Sequence, residues 1–242
     1  MHCFYIDAPE NGVAALPPEE AKHAAKVLRL QPGDAVCAMD GAGSRWGAEI
    51  QAVSGNSVSL RLLERLPDNE PPVRVTVYQG LPKAEKLDFA AQKLTELGAA
   101  ALVPVKMERC VAKLEGRDGE KRRERLARIA AEAAKQCRRG VPTAVSAPLT
   151  WRQALARMAE HDLLLAPWED ASGRHMKDAH ARHPDARDIG IVIGPEGGMS
   201  EAEVAALTDI GALPVTLGPR ILRTETAVVA AATLAMCLWG DI

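Results

Sequence analysis

Apolar positions in the first 70 residues recur at every second place between short turn signals. Residues 36–40, 46–53 and 58–63 read as strands separated by Gly41-Ala42-Gly43 and Gly55-Asn56-Ser57. Val58, Leu60 and Leu62 alternate with Ser59 and Arg61, the pattern of a half-buried strand. Only residues 18–30 change period, with Ala21, Ala24, Ala25 and Leu28 at helical spacing. The pattern predicts a small barrel-like module with one inserted helix. Residues 66–72 carry two consecutive prolines after a polar run, which a sheet interior does not accept, so they read as a linker.

From residue 73 the rhythm becomes strand, helix, strand, which predicts a largely parallel sheet covered on both faces. Candidate strands are residues 73–78, 101–105, 163–166, 189–193 and 214–217, and candidate helices are 84–97, 119–137, 151–160 and 201–209. Leu87, Ala90, Ala91 and Leu94 share one face of the first helix, and Thr150 with Gln153 and Ser200 with Glu203 match the reciprocal capping box. A last helix over residues 225–238 is apolar nearly all round and is expected to be buried inside the protein or against a partner subunit. The chain is thus an α/β protein with domains at 1–70 and 73–242.

Composition narrows the classes. The 242 residues are 47% hydrophobic and 26% charged, which excludes disorder as the main state, and aromatic residues are only 3%, too few for a broad base-stacking surface. The longest nearly apolar run, residues 227–239, falls short of the ~18 residues of a membrane span, and Met1-His2-Cys3 opens no signal-like segment, so a cytoplasmic protein is expected. Five scattered cysteines without a C-x-x-C pair imply reduced thiols and neither a disulfide framework nor a metal knuckle. The net charge of −2 conceals a basic segment: residues 106–140 carry 12 basic and 6 acidic side chains, while 1–70 and 141–242 are acidic. Such a segment fits a polyanion such as a phosphate backbone, or simply a solvated helix face.

Two glycine-rich strand ends carry the candidate chemistry. Gly194-Pro195-Glu196-Gly197-Gly198 follows an apolar strand and precedes a capped helix, and by itself it reads equally as a tight turn or a ligand loop. Residues 217–227 place Arg220, Arg223, Glu225, Thr224 and Thr226 at the entrance of the most apolar helix, where Arg223 and Glu225 are either a structural pair and cap or site residues. Leu165-Ala166-Pro167-Trp168-Glu169 ends a third strand, and three such loops at one sheet edge make a pocket. His175, His180 and His183 lie in a polar stretch, 172–188, that reads as a flexible loop without a metal ligand set.

The glycine loop and residues 217–227, with His23-Ala24-Ala25-Lys26-Val27-Leu28-Arg29 and Glu108-Arg109-Cys110 upstream, resemble the RsmE family of SPOUT methyltransferases over nearly the whole chain. The resemblance implies a PUA-like β-barrel followed by an α/β trefoil-knot domain, and a homodimer that uses S-adenosylmethionine to methylate N3 of a uridine in 16S ribosomal RNA, with no metal. It also implies a cofactor pocket lined by Leu165, Ala166, Gly194, Glu196, Gly197, Leu217, Leu222, Arg223, Thr224, Glu225, Thr226 and Ala227. Lys135-Gln136-Cys137-Arg138-Arg139 departs from the family pattern, which has a carboxylate at the first of these positions, so no acid–base role falls there.

Uridine N3 must lose a proton and its developing charge must be stabilised. Glu225 is the expected proton acceptor and Arg223 the expected cationic group. Arg29, Lys83, Lys86, Arg109, Lys113, Arg138 and Arg220 are the expected RNA contacts. A ribose 2′-hydroxyl or another base as acceptor, and a non-catalytic RNA-binding module, are the competing readings, since fold alone does not set the acceptor.

Overall fold

The computed structural model describes residues 1–55, 57–111, 116–171 and 173–242. Contacts divide the chain into two compact units, Met1–Glu70 with Glu132–Pro142, and Pro71–Ala131 with Thr143–Ile242.

The first unit contains β1 (His2–Tyr5), β2 (Val13–Ala15), α1 (Pro18–Lys22), a single π turn (His23–Val27), β3 (Ala35–Met39), β4 (Arg45–Ser54) and β5 (Ser57–Arg65). The strands hydrogen-bond in the order β1-β3-β4-β5-β2. Beyond β1, the Asp7 N–H donates to the Ala15 carbonyl at 3.3 Å, joining the two ends of the sheet into the PUA-like barrel. Alternation decides the faces: Phe4, Val36, Ala38, Ala48, Ile50, Val58 and Leu60 form the barrel core, with Ala21 and Ala24 of the helical insert closing it. The 18–30 stretch is broken where the sequence reads as one helix. Its second half widens into the π turn, and Arg29 follows with a left-handed φ of 55°. The strands β1 and β2 carry too few residues to show a period. The segment Glu132–Pro142 lies with this unit: Lys135 Nζ meets Glu20 Oε1 at 2.6 Å, and Arg139 meets Glu70 at 2.8 Å. Asn56 of the predicted turn lies outside the described residues.

The second unit runs β6 (Arg74–Gly80), α2 (Ala84–Glu96), β7 (Ala101–Lys106), α3 (Gly116–Cys137, whose end lies with the first unit), β8 (Ala144–Val145), β9 (Leu149–Thr150), α4 (Trp151–Met158), β10 (Leu163–Pro167), α5 (Met176–Arg182), β11 (Asp188–Ile193), α6 (Glu201–Asp209), β12 (Leu213–Val215) and α7 (Thr224–Trp239). The sheet order is β12-β10-β11-β6-β7-β8, with β9 also on β7, and each pairing is parallel. Both predicted capping boxes are present, at Thr150–Gln153 and Ser200–Glu203.

After the edge strand β12 the chain returns past the ends of β10 and β11, and α7 packs against α2, α5, β6 and β11. That return path is the one the trefoil knot implied by the resemblance requires. Val228, Ala231, Ala232, Ala235, Met236 and Trp239 of α7 are buried, while Leu234 and Cys237 face outward. The 172–188 stretch is not the loop its polarity predicts. It holds α5, whose Met176 and Ala179 are buried, whose His180 ring meets Trp239 edge-on at 5.0 Å, and after which the His183 carbonyl accepts from Trp239 Nε1 at 2.8 Å. Two apolar anchors in a seven-residue helix are too sparse a period to read without the tryptophan that covers them. Ser172 itself lies outside the described residues.

Candidate active site

The three predicted loops meet at the carboxyl ends of β10, β11 and β12 and surround a cavity of about 630 Å³. Its wall is formed by Pro167, Trp168 and Glu169 from the first loop, Ile193–Met199 positions from the second, and Thr216–Thr224 positions with Ala227 from the third, joined by Lys86 and His175. Of the residues expected to line a cofactor pocket, Gly194, Glu196, Leu217, Leu222, Arg223, Thr224 and Ala227 are in the wall. Leu165 and Ala166 are fully buried in the strand behind it. Gly197 backs onto Arg109, whose Nη1 donates to the Gly197 carbonyl at 3.1 Å. Thr226 is exposed, and Glu225 turns its carboxylate toward Lys86.

Backbone geometry explains the glycines. A Cβ on Gly194 would stand 3.0 Å from the backbone of Gly198 and Met199, so the loop folds back on itself only with glycine at this place. Gly198 has a φ of 71°, the left-handed region that glycine adopts without strain. The loop is tied down from below by Gln79, a buried polar residue at the end of β6, whose Nε2 donates to the Gly194 carbonyl at 3.2 Å and to the Thr224 hydroxyl at 2.9 Å. Thr224 in turn donates to the Gly194 carbonyl at 2.7 Å. From the side, Glu203 accepts from the Ser200 N–H at 2.9 Å and from the Glu108 N–H at 2.8 Å.

The electrostatics of the wall centre on Lys86. Its Nζ stands 3.0 Å from Glu225 Oε2 and 3.5 Å from Glu196 Oε1. Contact with Glu225 first, and then with Glu196, raises the Lys86 pKa. Glu225 is held below the usual carboxylate range by its own backbone N–H and by Lys86 and Arg223. Burial works against ionisation of Glu196, yet the Lys83 N–H at 3.0 Å and Lys86 bring its pKa down. All three groups are charged at neutral pH.

Among the expected RNA contacts, Lys83, Arg109 and Arg220 are exposed around the cavity or its glycine loop, and Lys86 is half-buried in the wall; Arg223, the expected cationic group, is exposed there too. Arg29 and Arg138 are exposed in the first unit, both with left-handed backbone. Lys113 lies outside the described residues. Part of the basic segment is neutralised internally: Arg122 and Arg125 meet Asp88 at 3.1 and 2.7 Å, and Arg123 meets Glu120 at 2.8 Å. Gln79, Thr216 and Met199 escaped the sequence reading, and His175, read there as part of a loop, stands in the cavity wall. Only Gln79 left a signal there, as a lone amide ending an apolar strand.

An α/β knot with a cavity at its strand ends, preceded by a PUA-like barrel, defines an RNA methyltransferase of the SPOUT class. Residues 69–236 match the RNA methyltransferase domain family, and residues 16–63 match the RNA methyltransferase PUA domain. The ribosomal RNA small subunit methyltransferase E of Bacillus subtilis is 37% identical over 94% of this chain and 93% of its own length. A crystal structure of the Neisseria gonorrhoeae ribosomal RNA small subunit methyltransferase E bound to S-adenosyl methionine superimposes with a TM-score of 0.89, at 32% identity, covering 100% of this chain and 99% of that one. A Legionella pneumophila structure in complex with bound SAM gives 0.88 at 30% identity, covering 99% and 98%. The chain belongs to the ribosomal RNA small subunit methyltransferase E family.

Proposed function

We propose that this protein transfers a methyl group from S-adenosylmethionine to N3 of a uridine in 16S ribosomal RNA, in the cytoplasm. The observation that carries the reading is the three-loop cavity at the ends of β10, β11 and β12, with Lys86 and Arg223 in its wall.

The wall fits the cofactor. Ile193, Met199, Leu217, Leu222 and Ala227 give apolar surface for an adenine, the glycine loops expose backbone groups to its edges, and Glu169 and Glu196 supply negative charge to a cationic ligand. The bound cofactor supplies an electrophilic methyl on a sulfonium. Everything else falls to the chain. Arg223 caps α7 through its backbone, its carbonyl accepting from Thr226 and Ala227, and its exposed side chain is left to meet a phosphate or a pyrimidine carbonyl. Glu225 stays ionised beside Lys86 and accepts the N3 proton, while Lys86, released from part of its pairing, faces the carbonyl oxygen on which negative charge develops. Holding donor and acceptor in line supplies much of the acceleration independently of the base.

The functional unit is a homodimer. Phe89 on α2 and Leu234 on α7 are 41% and 40% exposed on two helices that pack together, an apolar face of the kind a second copy covers. Light scattering of the wild type and of Leu234→Glu tests it, with a wild-type monomer mass at micromolar concentration refuting the dimer. The activity is tested by incubating the protein with labelled S-adenosylmethionine and small ribosomal subunits that lack the modification, then analysing the nucleosides. Label in 3-methyluridine is the expected result. Label on a ribose would overturn the acceptor, and cofactor binding without transfer would favour a binding module.

A further inference from the structure

The parallel pairing of β1 with β3 places Cys3 directly opposite Cys37. Their neighbours Phe4 and Ala38 point into the barrel core, so both thiols project from the opposite face of the sheet. Paired residues on adjacent strands stand about 4.8 Å apart, within the roughly 4.4–6.8 Å between Cα atoms that a disulfide spans. Thirty-four positions separate them in sequence, and strand register sets them side by side in the fold. Cys3 is half-buried, which admits a small reagent, while Cys37 is 1% exposed and held in place.

We propose that Cys3 and Cys37 are a redox-active dithiol, a reversible oxidation site in the PUA-like domain that takes a small disulfide such as glutathione disulfide. In the first step the Cys3 sulfur attacks one sulfur of glutathione disulfide as its proton passes to the Cys37 thiolate, forming a mixed disulfide and releasing one glutathione thiolate. In the second step the Cys37 thiolate attacks the Cys3 sulfur and expels the second glutathione. Two protein thiols are oxidised, one disulfide is reduced to two glutathiones, and the two thiol protons pass to solvent or to the departing thiolates.

Three features support the chemistry. The neighbouring Cys3 thiol and the Arg45 and Arg138 guanidinium groups bring the Cys37 pKa down to about 7, and Cys37 pushes the Cys3 pKa up. A bridge between directly opposed positions of β1 and β3 needs no change of strand register. Both cysteines are free thiols, Cys37 buried and Cys3 half-buried beside it. Arg138 belongs to the Glu132–Pro142 segment, with its carbonyl accepting from Arg45 Nη1 at 2.7 Å and from Asn69 Nδ2 at 3.1 Å. Forming the bridge removes the thiolate that faces this arginine.

The test equilibrates the full-length protein with glutathione disulfide and glutathione at a series of ratios, quenches with acid, alkylates after unfolding, and maps the peptides by mass spectrometry. Alkylatable thiols should fall from five to three, with Cys3 and Cys37 recovered as one cross-linked peptide, and excess glutathione should restore all five. Cys137→Ser should leave the bridge intact. Cys3→Ser, at a half-exposed position that tolerates it, should abolish the bridge and return the pH midpoint of Cys37 alkylation upward. Five alkylatable thiols at every ratio, or a bridge from Cys3 to Cys137 or Cys237, would overturn the proposal.

Discussion

Gln79 and Thr224 stand 145 positions apart in the chain and meet through a 2.9 Å hydrogen bond beneath the cavity, with Gln79 Nε2 as donor and the Thr224 hydroxyl as acceptor. Both are buried, and both also hold the Gly194 carbonyl, so the start of α7 and the glycine loop share one polar node. Thr224→Val keeps the shape but strips Gln79 of an acceptor and Gly194 of a donor. It should cost about 1–3 kcal/mol in urea unfolding, the penalty of buried groups left unpaired. Cofactor affinity by calorimetry should fall at the same time, because the loop that Thr224 anchors forms the cavity wall. Unchanged values for both would show that the node holds nothing.

The glycines around that node are tested by adding one methyl group. Gly80→Ala puts a Cβ 2.6 Å from Met107 Sδ and 2.7 Å from the Pro195 backbone nitrogen, so the strand end or the loop must shift. Destabilisation of about 1–3 kcal/mol is expected. Gly194→Ala makes a milder contact, at 3.0 Å, but with the loop's own backbone. Its main effect should be a cofactor dissociation constant raised about tenfold or more, equivalent to about 1.4 kcal/mol. A Gly194→Ala protein that binds cofactor normally would place the ligand away from this loop.

On the other face of the sheet, Tyr78 Oη meets His161 Nε2 at 2.8 Å and His161 Nδ1 meets Asp188 Oδ1 at 2.9 Å, a chain that runs from the buried tyrosine to a partly exposed carboxylate. Burial pushes the Tyr78 pKa up to about 12, and Gly190 leaves the space that the His161 ring fills. A Cβ there would stand 2.6 Å from the ring and 2.7 Å from Leu164. Gly190→Ala should therefore lower stability by about 1–3 kcal/mol without changing cofactor affinity, since this chain lies away from the cavity.

The Lys86 cluster makes a prediction about pH. Glu225 and Glu196 have depressed pKa values, so their contribution is present above the unfolded value of 4.5 and is lost as pH falls through the lower folded values. Lys86 is raised, so its contribution is full below 10.5 and is lost as pH rises through the higher folded value. The stability difference between wild type and Lys86→Met should be flat between these limits and shrink at both ends. A difference that grows toward acid would mean that Lys86 is not the partner that keeps the carboxylates ionised.

Periodicity made most of this fold legible. The alternation of Val58, Leu60 and Leu62, the helical face of Leu87, Ala90, Ala91 and Leu94, and the two capping boxes are local facts, and local backbone preferences follow them. The glycine loop and residues 217–227 were legible as candidate chemistry because charged groups beside an apolar helix require partners. Long-range dependence hid the rest. Helix α5 exists because Trp239 covers it, and Gln79 acquires its role from a threonine at the far end of the chain. The paired thiols depend on strand register, which neither cysteine's surroundings in sequence encode. The knot itself came from family resemblance, since periodicity carries no information on threading.

Arg220 and Arg223 separate RNA binding from catalysis. Both line the cavity with exposed side chains, but they differ in what their backbones do. The Arg223 carbonyl accepts from the Thr226 N–H at 2.9 Å and the Ala227 N–H at 2.8 Å, and alanine keeps those bonds, so Arg223→Ala removes the guanidinium without undoing the cap of α7. A side chain that neutralises one phosphate contributes roughly 0.7–0.9 to the slope of log affinity against log salt. Arg220→Ala should lower that slope by this amount and leave the single-turnover methylation rate at saturating RNA unchanged. Arg223→Ala should instead reduce that rate by about tenfold or more, because a cation facing the reacting pyrimidine acts on developing charge and not only on binding. Equal slopes and equal rates for the two variants would place both arginines on the phosphate backbone, leaving Lys86 as the cation for the carbonyl oxygen.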